Sequence, residues 1–330
     1  MKKTVYVFND GEFKRKDNTI YFETNEGRKY LPVEDLKEIY IFGEVSLNKR
    51  FLEFLSQKEI ILHFFNNYGY YTGSYYPREH LNSGYMILRQ AEFYLDKVKR
   101  LKLAKEFVRG AVLNIFNVIR YYHNRGLNLA ETMERINHLK DKIDSCATAE
   151  ELMAVEGNIR EAYYYSFNSI INKPGFEFNG RNRRPPKDRI NALLSFGNTI
   201  LYTAVLSEIY KTHLDPRIGY LHTTNFRRFT LNLDIAEIFK PILVDRLIFN
   251  LIGRNKLKNS HFDSKVDSIL LNDKGRRLFL QEWEEKIKTT IKHRNLGREV
   301  SYRRLIRMEL YKLEKHLMGE KEYEPFVSRW

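Results

Sequence analysis

The spacing of apolar residues changes once along this chain, near Tyr85, and the change limits the folds open to it. Before it, β-branched and aromatic residues gather in short runs: Thr4-Val5-Tyr6-Val7-Phe8, Thr19-Ile20-Tyr21-Phe22, Glu38-Ile39-Tyr40-Ile41-Phe42, Ile60-Ile61-Leu62-His63-Phe64-Phe65 and Tyr70-Tyr71-Thr72. Asn9-Asp10-Gly11, Asp17-Asn18 and Asn25-Glu26-Gly27 supply hairpin-type turns between them, and residues 48–56 read as one helix laid between strands. After Tyr85 the period becomes 3.6. Val98, Leu101, Ala104, Val108, Ala111, Val112 and Ile115 mark a long amphipathic helix, and further helices are expected over 132–145, 149–172, 190–212 and from Phe239 onward. The expectation is a two-domain α+β protein. Residues 1–84 form a β-rich, β-sandwich-like domain, and residues 85–330 form a mainly α-helical one.

Charge divides along the same line. Residues 1–85 hold 12 Lys+Arg and 12 Asp+Glu, whereas residues 86–330 hold 44 against 30, so the whole excess of +14 lies in the helical part. A basic domain beside a neutral one suits a unit that handles a polyanion joined to one that makes protein contacts. Nucleic acid is favoured over a membrane surface, because the chain carries no basic amphipathic anchor or lipidation signal. No apolar run approaches the eighteen or so residues of a membrane span. Asn9, Asp10 and Glu12 interrupt the first apolar run before a signal-peptide core can form, and a cytoplasmic protein is expected. The single cysteine, Cys146, excludes an internal disulfide and a cysteine metal cage, and reads as a small buried hydrophobe.

Candidate chemistry centres on residues 215–246. Asp234 and Glu237 stand three apart, so on a helix they share a face and can hold one cation, with His222 twelve residues earlier to close the set. The same Asp-x-x-Glu ahead of an apolar run is also a capping-box pattern, and taken alone it favours the cap. Glu156 and Arg160 likewise read locally as a helix ion pair. The order of motifs weighs against these local readings. Glu156-Gly-x-x-Arg160 is followed by Arg-Asn-Arg-Arg-Pro-Pro at 181–186 and by Asn191-Ala-Leu-Leu-Ser-Phe-Gly197. Asp215-Pro-x-x-Gly-x-Leu-His222 and Asp234-x-x-Glu237-x-x-Lys240-Pro241 complete the series.

This series resembles the CRISPR-associated integrase family, the metal-dependent DNase subunit that inserts new spacers into CRISPR arrays, and the resemblance covers nearly the whole chain. It implies Glu156, His222 and Glu237 as metal ligands, with Asp234 a further acidic residue of the active site. The family often has Asp where this chain has Glu237, so the third ligand falls to Glu237 or to Asp234. Two carboxylates and an imidazole suit Mg²⁺ or Mn²⁺, the nitrogen favouring Mn²⁺ somewhat, whereas zinc more usually recruits further His or Cys. The ion would polarise a scissile phosphate attacked in line by a DNA 3′ hydroxyl in integration, or by water in nuclease action. The resemblance also implies a homodimer built largely through the β-rich domains, working with a small ferredoxin-like partner subunit on double-stranded DNA. Two rival readings remain: a structure-specific nuclease that never integrates, and a non-catalytic DNA-binding scaffold.

DNA contacts are expected from the basic loop carrying Arg181, Arg183, Arg184, Lys187 and Arg189, which Pro185-Pro186 would hold extended. Lys240 reads either as a phosphate contact or as a partner that partly neutralises the carboxylates. Tyr163, Tyr164 and Tyr165 are consecutive and cannot share a helix face, so at least one belongs to the core. His63 reads as a core side chain, and Trp283 and Trp330 as packing residues.

Overall fold

The computed structural model describes residues 2–328 apart from 78–80, 82, 184, 225–228, 266–267 and 294–295. Arg184 and Trp330 therefore lie outside the described residues. The chain divides into two compact units, Met1–Asn82 and Ser83–Trp330.

The first unit runs β1 (Lys3–Val7), β2 (Gly11–Lys16), β3 (Thr19–Thr24), β4 (Gly27–Leu31), β5 (Leu36–Ile41), β6 (Val45–Ser46), α1 (Lys49–Gln57), β7 (Ile61–Phe65) and β8 (Tyr71–Tyr75). One sheet has the order β1-β5-β7-β8, with β1, β5 and β7 parallel and β8 antiparallel to β7. The other has the order β4-β3-β2-β6, and its β2–β3 hairpin turns through Asp17 at φ 52, the left-handed backbone that a tight turn needs. Val7, Ile39, Ile41 and Leu62 of the first sheet meet Phe13, Ile20 and Phe22 of the second, and Phe51, Phe54 and Leu55 of α1 pack on the same core. Burial of each such side chain is worth about 1.5–3 kcal/mol. Asn48 starts α1 by accepting the Phe51 amide at 3.0 Å.

The second unit begins with α2 (Gly84–Leu95), α3 (Lys97–His123), α4 (Ala130–Lys140), α5 (Ala149–Tyr165), α6 (Phe167–Ile171), α7 (Arg189–Ile209) and α8 (Leu231–Lys240). A wide π-helical turn over Pro241–Asp245 leads into α9 (Arg246–Gly253), followed by β9 (Phe262–Lys265), β10 (Ser268–Leu271), α10 (Asp273–Lys288), β11 (Thr290–Lys292), β12 (Glu299–Ser301) and α11 (Tyr302–Leu317). Three differences from the sequence expectations stand out. The helix expected over 149–172 breaks at Ser166 into α5 and α6, the helix expected over 132–145 ends at Lys140, and two short hairpins interrupt the C-terminal helices. Strands of three or four residues are too short for a period of two to register.

Helix α7 is the axis of this unit. From Ile190 to Ile209 every residue is buried except Ser195, Thr199 and Tyr202, which fall on one stripe. Length and hydropathy would let α7 cross a bilayer, yet 83% of its most apolar window is buried inside the protein, which marks a core helix. Asp188 caps it through the Asn191 amide at 2.7 Å, and Thr148 caps α5 through the Glu151 amide at 3.2 Å. Helix α8 packs between α3 and α7, which places the Asp234–Lys240 segment in the interior.

Candidate active site

Asp234 sits fully buried one turn inside α8, and it does not cap that helix. Its Oδ2 accepts the amides of Tyr220 at 2.5 Å and Leu221 at 3.0 Å, while its Oδ1 accepts the His222 amide at 3.0 Å and lies 2.7 Å from His222 Nδ1. One carboxylate therefore holds three successive loop amides and an imidazole, which corrects the capping-box reading. The loop is fastened at a second point, where Thr230 Oγ1 accepts the Gly219 amide at 2.8 Å and donates to the Arg217 carbonyl at 2.8 Å. Gly219 is required here, because a Cβ would stand 2.8 Å from Asp234 Oδ2 and 2.7 Å from the Thr230 backbone. Burial alone would lower the pKa of His222, but the hydrogen bond and charge of Asp234 outweigh it and raise the value above that of a free imidazole.

Glu237, one turn beyond Asp234, is 5% exposed and engages two cations, Arg160 from α5 through one carboxylate oxygen and Lys240 through the other. Burial would push its carboxyl up, yet the charges of Lys240, Arg160 and His222 hold it well below the usual range. Arg160 also donates through Nε to Glu156 Oε1 at 2.9 Å. Glu156 and Glu237, on different helices, thus meet on one guanidinium whose Nη1 is buried with no hydrogen-bond partner among the described residues. His222 and Glu237 are near enough to shift each other's titration.

Lys240 is 8% exposed and lies over the Tyr202 ring at 5.0 Å. Its ammonium pairs with Glu237, the arrangement that the neutralising role requires. The basic loop is less free than expected. Arg181 turns inward and donates to the Asn182 carbonyl, to Asn191 Oδ1 at 2.8 Å and to Ser195 Oγ at 3.2 Å, all neutral acceptors, and burial lowers its pKa. Arg189 is the first residue of α7 and donates to the Gly175 carbonyl at 2.7 Å. Arg183 and Lys187 remain exposed. Of the three tyrosines, Tyr163 is fully buried, Tyr164 half-buried and Tyr165 80% exposed. His63 is fully buried, with Nδ1 2.7 Å from Ser74 Oγ.

Sequence reading did not single out Asp245. It is 1% exposed in the wide turn, and burial lifts its carboxyl to about 6 against the pull of Arg160 and Lys240. Its only sequence signal is the position just after a proline-broken helix.

Among the described residues no three His, Cys, Asp or Glu side chains form a ready-made metal cage. The donor set nevertheless fits a hard divalent ion. Glu156, Glu237 and the Nε2 of an imidazole tied by its other nitrogen supply two carboxylates and one nitrogen, and the compensating positive charge comes from Arg160 and Lys240.

Comparison with known proteins agrees over the whole length. The family described as CRISPR associated protein Cas1 matches residues 5–285. A CRISPR-associated endonuclease Cas1 of Thermodesulfovibrio yellowstonii is 63% identical over 330 residues, covering 100% of both chains. That of Thermotoga maritima is 51% identical over 321 residues, 97% of this chain and 98% of the relative. The solved structure of a Cas1 protein from Thermotoga maritima superposes with a TM-score of 0.88 at 50% identity, covering 98% of this chain and 99% of that one. A casposase bound to integration product shares the fold at TM-score 0.88 and 21% identity, covering 99% and 94%. The chain belongs to the Cas1 family of CRISPR-associated proteins.

Proposed function

We propose that this protein is a metal-dependent DNA endonuclease and integrase of CRISPR adaptation, with Glu156, His222 and Glu237 as ligands of Mg²⁺ or Mn²⁺ and Asp234 as the residue that positions the histidine. The observation that carries this reading is the meeting of Glu156 and Glu237 on Arg160, beside an imidazole locked by Asp234. The hydrogen bonds of Asp234 go to the 220–222 loop, which supports Glu237 as the third ligand. By holding Nδ1, Asp234 leaves Nε2 as the ligand atom of His222. When bound, the ion supplies Lewis-acid stabilisation of charge on the phosphate oxygens.

The chain's own cations complete the site. Lys240 and Arg160 keep Glu237 ionised at any working pH, while His222, its pKa raised by Asp234, releases a proton from Nε2 as it takes up the ion. Arg160 Nη1 has a hydrogen to offer a phosphate oxygen. Arg181, held by neutral acceptors only, keeps a positive charge available for a backbone phosphate, and exposed Arg183 and Lys187 extend that path. Arg184 and Arg189 belong to the same basic segment.

The protein acts in the cytoplasm as a homodimer formed through residues 1–84, with a small ferredoxin-like partner subunit and double-stranded DNA. The balanced charge of residues 1–85 supports a protein-contact role, and a related solved complex is described as containing Cas1 and Cas2. The test supplies duplex DNA with free 3′ hydroxyls, a supercoiled repeat-containing plasmid, the partner subunit and Mn²⁺. Joined product is expected from the wild type and none from Glu156→Ala or His222→Ala, with duplex binding retained in both. Wild-type turnover by either variant refutes the ligand assignment, and cut plasmid without joined product favours the nuclease reading.

A further inference from the structure

The carboxyl end of α8 is an anomaly that three other elements resolve. Pro241 has no N–H, so the Glu237 carbonyl loses its helical donor, and the next register closes one residue wider, with the Arg246 amide donating to the Pro241 carbonyl. Arg160 Nη2 reaches that orphaned Glu237 carbonyl at 3.5 Å, and one residue on, Asn114 Nδ2, from α3, donates to the Ile238 carbonyl at 3.0 Å.

Asn114 is fully buried and its amide makes four hydrogen bonds. Besides Ile238, Nδ2 donates to the Phe326 carbonyl at 2.9 Å, while Oδ1 accepts the Ser328 amide at 2.7 Å and the Ser328 hydroxyl at 2.9 Å. The segment it grips lies outside any helix or strand and is anchored along its length. Tyr323 OH and the Phe326 amide both donate to buried Glu309, at 2.5 and 3.1 Å, and Asn117 Nδ2 donates to the Ser328 carbonyl at 2.7 Å. The Phe326 ring stacks on Phe239 of α8, centroids 5.6 Å apart and planes 9° from parallel. Where the segment crosses α3 it lies against Gly110, at which a Cβ would come within 2.5 Å of Pro325. The segment draws on a buried asparagine, a buried glutamate and a glycine. Its ring stack on α8 falls on Phe239 and the Asn114 bond falls on Ile238, the two residues directly after Glu237.

We propose that Asn114 is a positioning residue for the nuclease site, acting with residues 323–328 as a clamp that holds the proline-broken end of α8 and so sets Glu237 and Lys240 in place. Asn114 touches neither substrate nor metal; it acts through the Ile238 carbonyl and the Phe326 stack. The proposal rests on the reading of Glu237 as a ligand, and its test separates the two.

Full-length Asn114→Ala is compared with Asn117→Ala, which loses a bond to the same segment but none to α8. Asn114→Ala is expected to lower kcat for Mn²⁺-dependent DNA cleavage roughly 10- to 100-fold, with KM for DNA within about twofold, as misplacement of a reacting group does. Amide exchange over residues 238–246 should also quicken about tenfold or more, a local loosening that requires no metal. Asn117→Ala should move neither. If Asn114→Ala leaves kcat and exchange at 238–246 where Asn117→Ala leaves them, the clamp is overturned as mere end packing. Should Asn114→Ala fail to fold, Phe326→Ala carries the test, and wild-type kcat with unchanged exchange in that variant overturns the proposal equally. Glu237→Gln distinguishes the premise, since wild-type turnover there sinks the ligand reading while leaving the exchange result to judge the clamp.

Discussion

Replacing Arg160 with methionine separates its structural role from that of a divalent ion. Arg160 is 8% exposed and pairs with both Glu156 and Glu237, so Arg160→Met leaves Glu237 with Lys240 alone and leaves a buried carbonyl without its side-chain donor. Breaking a buried pair from one side costs about 3–5 kcal/mol. For a unit of this size each kcal/mol moves Tm by about 2–4 °C, so a fall of roughly 6–20 °C is expected in EDTA. An ion entering the wild type must share the two carboxylates with Arg160, but in the variant it has no such competitor. Ion at 100 times its Kd stabilises by about 2.7 kcal/mol, and the variant should reach that saturation at lower Mn²⁺. Calorimetric scans in EDTA and across a Mn²⁺ titration give both numbers. The rise in Tm from EDTA to Mn²⁺ should be larger for Arg160→Met than for wild type, and adding Glu156→Gln should remove the difference. A fall of less than about 2 °C in EDTA, against the several kcal/mol expected, would refute the reasoning, as would equal Mn²⁺ stabilisation of the two proteins.

Two further outcomes follow from other parts of the second unit. The Asp245 carboxyl, lifted to about 6 from an ordinary 3.8, binds its proton more tightly folded than unfolded, so the stability it contributes is complete below the unfolded value and lost as pH rises through 6. Wild type should therefore lose up to about 3 kcal/mol relative to Asp245→Asn between pH 4 and 7 by denaturant titration, and a flat difference would show that Asp245 is not proton-linked to folding. Arg183→Ala and Lys187→Ala should each weaken duplex binding without regard to sequence and reduce the slope of log K against log salt by about 1, whereas an unchanged slope removes that residue from the phosphate path.

The fold was legible wherever a pattern was local and repeated. β1, β3, β5 and β7 coincide with runs of β-branched and aromatic residues, while β2 and β4 escape that pattern because GEFKRK is mostly charged, GRKYL opens on Gly-Arg-Lys, and the two bury little beyond Phe13 and Leu31. The break between α5 and α6 has no proline or glycine to announce it. In the candidate site the residue types were legible but their partnerships were not. Glu156 and Arg160 look like an ordinary i,i+4 pair because the second partner of Arg160, Glu237, lies 77 positions away. Asp234 looks like a cap because its true donors belong to a loop that precedes it by twelve residues or more. Asn114 carried no signal at all, being uncharged, in the middle of a helix and defined only by what it touches.

The wide turn at Pro241–Asp245 has a consequence for chain length. Each residue of an α-helix turns the direction of the next by about 100°. A turn closed from residue i to i+5 holds one residue more than one closed from i to i+4, and it absorbs that residue without breaking the rod or turning the helix beyond it. Deleting one of the five would let the segment wind as ordinary α-helix and leave Leu247, Ile248, Leu251 and Ile252 facing the interior they now fill, whereas deleting one residue within α9 itself would swing the face beyond it by about 100°. Surface loops accept insertions and deletions readily. Here, inside a buried rod, the wide turn is a place where one residue can be lost without disturbing the packing that follows.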